Sequence, residues 1–74
     1  MIAVFENVEL CIIKQGEHLY RYCNCEVSEY SEYFAIIEHF GDSGKDGLYM
    51  FMKHSIDYIS IIRKGERSYE RHSF

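Results

Sequence analysis

The amino-acid sequence predicts a small all-β domain, and three observations carry that prediction. Its apolar stretches are short and separated by turn-forming clusters, so each reads as a strand rather than a helix. The chain contains no proline and is rich in Val, Ile, Tyr and Phe, residues that suit a pleated, half-buried surface. At 74 residues it is one domain, near the lower size at which a chain buries a self-sufficient core, so oligomerisation would help.

Taken in order, residues 7–13 (Asn-Val-Glu-Leu-Cys-Ile-Ile) predict a first strand with Val8, Leu10 and Ile12 on one face. Lys14-Gln15-Gly16-Glu17 supplies a turn in which Gly16 is able to take a positive φ. His18 to Val27 reads as a two-sided second strand, with Leu19, Arg21, Cys23 and Cys25 on one face and Tyr20, Tyr22, Asn24 and Glu26 on the other. Residues 30–38 form a third strand that becomes apolar toward its end, and residues 40–47 hold three of the five glycines and predict a loop or hairpin connection. Strand four covers Leu48 to Lys53, a corner lies at His54-Ser55, and strand five runs from Ile56 to about Ile62.

Five successive strands within residues 1–62 suggest a strongly bent barrel, because closure removes exposed edges from so few strands. Residues 63–74 read as a polar, basic tail with little drive to be buried.

Charge is divided unevenly. Residues 1–62 carry four Lys/Arg against ten Asp/Glu, near −6, and residues 63–74 carry four against two, near +2. An acidic body repels a phosphate backbone and opposes a general nucleic-acid-binding surface, though not capture by a few placed groups. The longest apolar runs, Tyr33 to Ile37 and Leu48 to Met52, fall far short of the roughly 20 residues that cross a bilayer. The N-terminus lacks the pattern of a secretory signal, and an odd count of three cysteines favours reduced thiols, so a cytoplasmic protein without a membrane partner is expected.

The corner carries the most informative residues, since Lys53-His54 lies between two apolar runs where both polar ends face one opening. Lys53-His54-Ser55-Ile56 resembles the Lys-His-Ala-Ile motif of the Sm-like proteins, in particular the bacterial RNA chaperone Hfq. Val8 to Gly16 resembles their first strand and its turn. Tyr30-Ser-Glu-Tyr-Phe-Ala-Ile-Ile37 resembles the stretch written Phe-Asp-x-Phe-x-Val-Leu-Leu. The three matches run in order over residues 6–62. The family's N-terminal helix is missing, its motif aspartate is Ser31, and its amide-bearing position is Glu32.

The resemblance implies a five-stranded, strongly bent Sm-like (SH3-like) barrel that assembles into a homo-oligomeric ring, strand four of one subunit meeting strand five of the next. It implies capture of short, uridine-containing single-stranded RNA near the pore, with Tyr33 as stacking platform and Lys53 and His54 as polar contacts. Such a platform contributes about 1–3 kcal/mol per base. Arg63, Lys64, Arg67 and Arg71 of the tail would add phosphate contacts. Of the four histidines, His54 has the strongest case, because His18 and His39 flank polar turns and His72 lies in the tail.

Glu32 would place a carboxylate near every phosphate. That favours, as an alternative, sequestration of a small nucleotide whose base edge donates to Glu32, or a protein-interaction module, including one encoded by a mobile element. A plainly structural account makes Tyr33 a core residue and Lys53-His54 a solvated corner.

Cys23 and Cys25 are two apart, so in a regular strand their thiols share a face. With His18 or Cys11 they could be arranged around zinc, but without a second close pair they do not define a tetrahedral site, and neither metal nor cofactor is expected. No serine or cysteine has a sequence-supported partnership with a histidine and an acid, so no enzyme is expected.

Overall fold

In the computed structural model, residues 1–41 and 44–74 are described, and these form six antiparallel β-strands. The strands are β1 (Ala3–Gln15), β2 (His18–Glu29), β3 (Tyr33–His39), β4 (Asp46–Met52), β5 (Tyr58–Arg63) and β6 (Tyr69–Arg71), with a 3-10 turn at Lys53–Ser55 between β4 and β5. They make one sheet in the order β4-β3-β2-β1-β5-β6. Asp42 and Ser43, part of the connection expected over residues 40–47, lie outside the described residues.

The sequence prescribes the long β1–β2 hairpin locally. Gly16 adopts a φ of 60°, and Gln15 pairs with His18 across the turn. β1 and β2 are long enough to serve both halves of the sheet. The C-terminal half of β1 pairs with β5 (Lys14 with Tyr58, Ile13 with Ile59), while the C-terminal half of β2 pairs with β3 (Glu29 with Phe34, Val27 with Ile36).

Side chains then fold these halves onto each other. The Tyr22 ring lies 4.4 Å from Tyr49 of β4, and Tyr20 lies 5.2 Å from Phe51. Between them sits a core of Val8, Cys11, Ile13, Val27, Phe34, Ile36, Ile59 and Ile61, each essentially inaccessible to water.

Three expectations change. First, the strands number six rather than five, and they form one sheet that is not closed into a barrel: among the described residues no pairing joins its outer strands β4 and β6. The added strand comes from the tail, where Tyr69 covers Phe5 at 5.1 Å and Arg71 reaches back into the sheet, so a polar segment has specific reasons to dock.

Second, the buried face of β1 switches. Val8, Cys11 and Ile13 are buried while Leu10 and Ile12 are only half-buried, because β1 carries an extra residue relative to β5 between Val8 and Leu10. An added residue reverses every later side chain.

Third, Cys23 is exposed and Cys25 buried, so the two thiols do not share a face. Asn24 between them has a φ of 51°, a left-handed conformation that breaks the two-residue alternation.

Candidate binding site at the Lys53 corner

The corner expected at His54-Ser55 is a 3-10 turn strapped to its surroundings. The Ser55 hydroxyl donates to the Met52 carbonyl at 2.9 Å and accepts from Gln15 Nε2 at 3.0 Å. Asp57 N–H donates to the Lys14 carbonyl at 2.8 Å. These bonds fix Lys53 and His54 against the β1–β2 turn on one side.

On the other side, the Lys53 amide donates to the Glu32 carbonyl at 2.9 Å, and Tyr33 is the register partner of Met52. Backbone pairing therefore brings Glu32, Tyr33, Lys53 and His54 together, although their sequence separation is about 20 residues.

Each side chain has its own environment. Tyr33 is half-buried and stacked on Tyr30, with ring centroids 4.7 Å apart and planes 16° from parallel. His54 and Glu32 are exposed and make no side-chain hydrogen bond among the described residues. Lys53 is different, because its ammonium is 2.7 Å from the carboxylate of Glu29 and only 12% exposed, and it lies 5.4 Å from the Phe34 ring centre.

Glu29 also accepts from Arg71 Nη1 at 2.9 Å, so one buried carboxylate joins β2, the corner and β6. The Phe74 ring closes the outer side, edge-on to Phe34 at 5.7 Å with the Arg71 guanidinium over its face at 4.8 Å. Lys53, Arg71 and Glu29 sum to a formal charge of +1 (two cations, one carboxylate), and the exposed Glu32 carboxylate beside them brings the corner to zero.

The other tail cations are dispersed. Arg63 ends β5, pairs with Glu66 at 3.0 Å, donates to the Arg67 carbonyl at 3.3 Å and lies over Phe5. Lys64 lines a separate cleft. Only Arg71 among the four joins the Lys53 cluster.

Sequence reasoning missed Glu29 and Tyr30. A signal for Glu29 was present, since it follows Cys25 and Val27 at two-residue spacing on what proves to be the buried face, where an acid needs a partner. The two interior thiols are chemically quiet: burial pushes Cys25 up to about 12 and Cys11 higher still, so both stay protonated at neutral pH. Compared with known protein families, curated proteins and solved structures, the chain matches none.

Proposed function

We propose that this chain is a non-enzymatic, Sm-like binding protein of the cytoplasm that takes a short, uridine-containing single-stranded RNA segment at the Lys53 corner. The observation that carries the reading is the stacked Tyr30–Tyr33 pair, whose platform adjoins exposed His54 and the cationic Lys53–Arg71–Glu29 cluster. A base stacks on the tyrosine pair, His54 and Glu32 meet its polar edge, and the Lys53 and Arg71 cations face the phosphate. Arg63, Lys64 and Arg67 lie apart from this cluster and act at most as distant electrostatic support.

The Sm-like part of the reading is supported by strand order. In the implied ring, strand four of one subunit meets strand five of the next, which requires these two to be the outer strands of the five. Here β4 and β5 do bound β3-β2-β1, with β6 lying outside β5. Ring formation therefore requires β6 to leave β5 or to act as the accepting edge itself.

Fluorescence anisotropy with a labelled oligouridine tests the site. Tyr33→Ala should weaken binding by about 1–2 kcal/mol, roughly five- to thirtyfold, and added salt should weaken it further. His54→Ala should weaken it more than His72→Ala. Unchanged affinity for Tyr33→Ala would remove the site.

A second reading, a protein-interaction module, is favoured by one observation: β4, whose outer edge has no strand partner among the described residues, exposes Leu48, Met50 and Met52. Native mass spectrometry of protein purified from cells separates the readings, because retained RNA, a retained nucleotide and a bound protein differ in mass.

A further inference from the structure

A cleft of 340 Å³ opens beside the middle of the β1–β2 hairpin, away from the contacts that define the Lys53 corner, and is lined by Asn7, Val8, Glu9, Cys23, Asn24 and Lys64. Its volume lies at the lower end of the range of small-molecule sites. Three backbone irregularities converge there. β1 carries one extra residue relative to β2 between Phe5 and Val8, and another relative to β5 between Val8 and Leu10. β2 breaks its alternation at Asn24.

Among the described residues, Asn7 and Asn24 are the two non-glycine residues with positive φ, at 54° and 51°, and both line this cleft. Bulges and left-handed residues of this kind concentrate where side chains are re-aimed for binding. Glycine would meet the same backbone requirement at lower cost. Asparagine at both positions instead puts two carboxamides, each a donor and an acceptor, at the mouth of one cleft.

The neighbouring groups are also uncommitted. Among the described residues, the Asn7, Glu9 and Lys64 side chains have no hydrogen-bond or ion-pair partner, while Asn24 Nδ2 makes only a 3.5 Å contact to the His39 carbonyl. Two amides, one carboxylate and one ammonium form a mixed set, with Val8 buried behind them. It matches a flat ring with a donor–acceptor edge that also carries one anionic group.

We propose that this cleft is a second ligand site, for a nucleoside monophosphate, in which Asn7 and Asn24 bond the edge of the base and Lys64 holds the phosphate. Carboxamides pair with the alternating donors and acceptors of a base edge, and Glu9 accepts from an exocyclic amino group. The site is independent of the Tyr30–Tyr33 platform.

Cys23 makes the test direct, because it is the exposed thiol on the cleft while Cys11 and Cys25 are buried. The full chain is treated with N-ethylmaleimide, and the rate of Cys23 modification is followed by mass spectrometry with and without millimolar AMP, CMP, GMP or UMP. At least one nucleotide should slow the reaction threefold or more, and inorganic phosphate alone should not. The double variant Asn7→Gly/Asn24→Gly, which keeps the backbone conformation, should lose the protection while its circular dichroism spectrum is retained. Lys64→Gln should lose protection by the monophosphate. Tyr33→Ala should leave protection intact, which separates this site from the RNA platform. Unprotected Cys23 with all four nucleotides, or equal protection in the folded double-glycine variant, would overturn the proposal.

Discussion

The two outer sides of the five-strand array β4-β3-β2-β1-β5 are treated in opposite ways. Beyond β5 the chain supplies its own cover: β6 pairs Tyr69 with Ile61 and Arg71 with Ile59, and Arg71 and Phe74 pin it to Glu29 and Phe34. Beyond β4 nothing pairs among the described residues, and Leu48, Met50 and Met52 are 66%, 58% and 41% exposed. A free edge is a template for another strand, and the usual deterrents are charge, proline or cover. The chain applies cover at one side alone, and that cover ends in a three-residue strand, so the seven-residue β4 is the longer of the two open edges.

The largest expected effect comes from the buried carboxylate that holds the covered side together. Glu29→Ala leaves Lys53 and Arg71 facing each other without their shared acceptor, and should cost about 3 kcal/mol in urea denaturation. Hydrogen exchange at β6 and the outer amides of β5 should rise with it. A loss below about 1 kcal/mol, within the usual range for surface pairs, would show that the cover does not depend on this cluster.

Alkaline pH probes the strands between the two edges. Burial raises Tyr22 from its ordinary value near 10 to about 12, with Tyr49 and Tyr20 adding to the rise, and burial raises Cys25 from 9.0 to about 12. These acids are neutral in the folded state, so their contribution is complete below the unfolded pKa and is lost as pH rises toward the folded one. Stability should therefore decline from about pH 9 for the Cys11 and Cys25 thiols and about pH 10 for the phenol, each by at most about 1.4 kcal/mol per pH unit and less for the partly solvated phenol. Because Tyr22 packs on Tyr49, ionisation of the phenol should also loosen the β4 side in hydrogen exchange.

Removing residues 69–74 uncovers β5 and should cost about 1–2 kcal/mol, because the side chains that hold this segment in place are themselves only partly buried. If the β5 edge is the partner of β4 in a ring, the truncated chain should show a higher mass in light scattering than the full chain at equal concentration. A strictly monomeric truncated chain would instead leave the ring without an edge to close on. The smallest effect on stability belongs to Met50→Lys, which puts a charge on the open edge. It should stay within about 0.5 kcal/mol while suppressing any self-association.

Much of the architecture was legible because it depends on local chemistry. Gly16 marks the hairpin, alternating and apolar runs mark the strands, and the Lys53-His54 corner falls where two such runs meet. The phase of β1 was not legible, because counting by twos from Val8 assumes a regular strand, and the extra residue near Glu9 moves Cys11 and Ile13 inward. Asn24 misleads in the same way by separating Cys23 from Cys25. The sixth strand eluded the pattern because Tyr69-Glu70-Arg71 has no apolar run, and its docking depends on a carboxylate 42 residues away. At the corner, proximity of Glu32, Tyr33 and Lys53 was readable from motif order. That Lys53 points its charge at Glu29 depends on tertiary packing.

The switch of face in β1 also bears on how this chain tolerates change in length. Deleting Glu9 would not shorten a loop; it would turn Cys11, Ile13 and everything beyond them to the opposite side of the strand, exchanging core for surface along half the hairpin. An insertion beside Gly16, at the tip where the chain already reverses, alters reach and leaves each side chain on its own side. Related chains are therefore expected to differ in length at that tip and to agree residue for residue between Phe5 and Ile13.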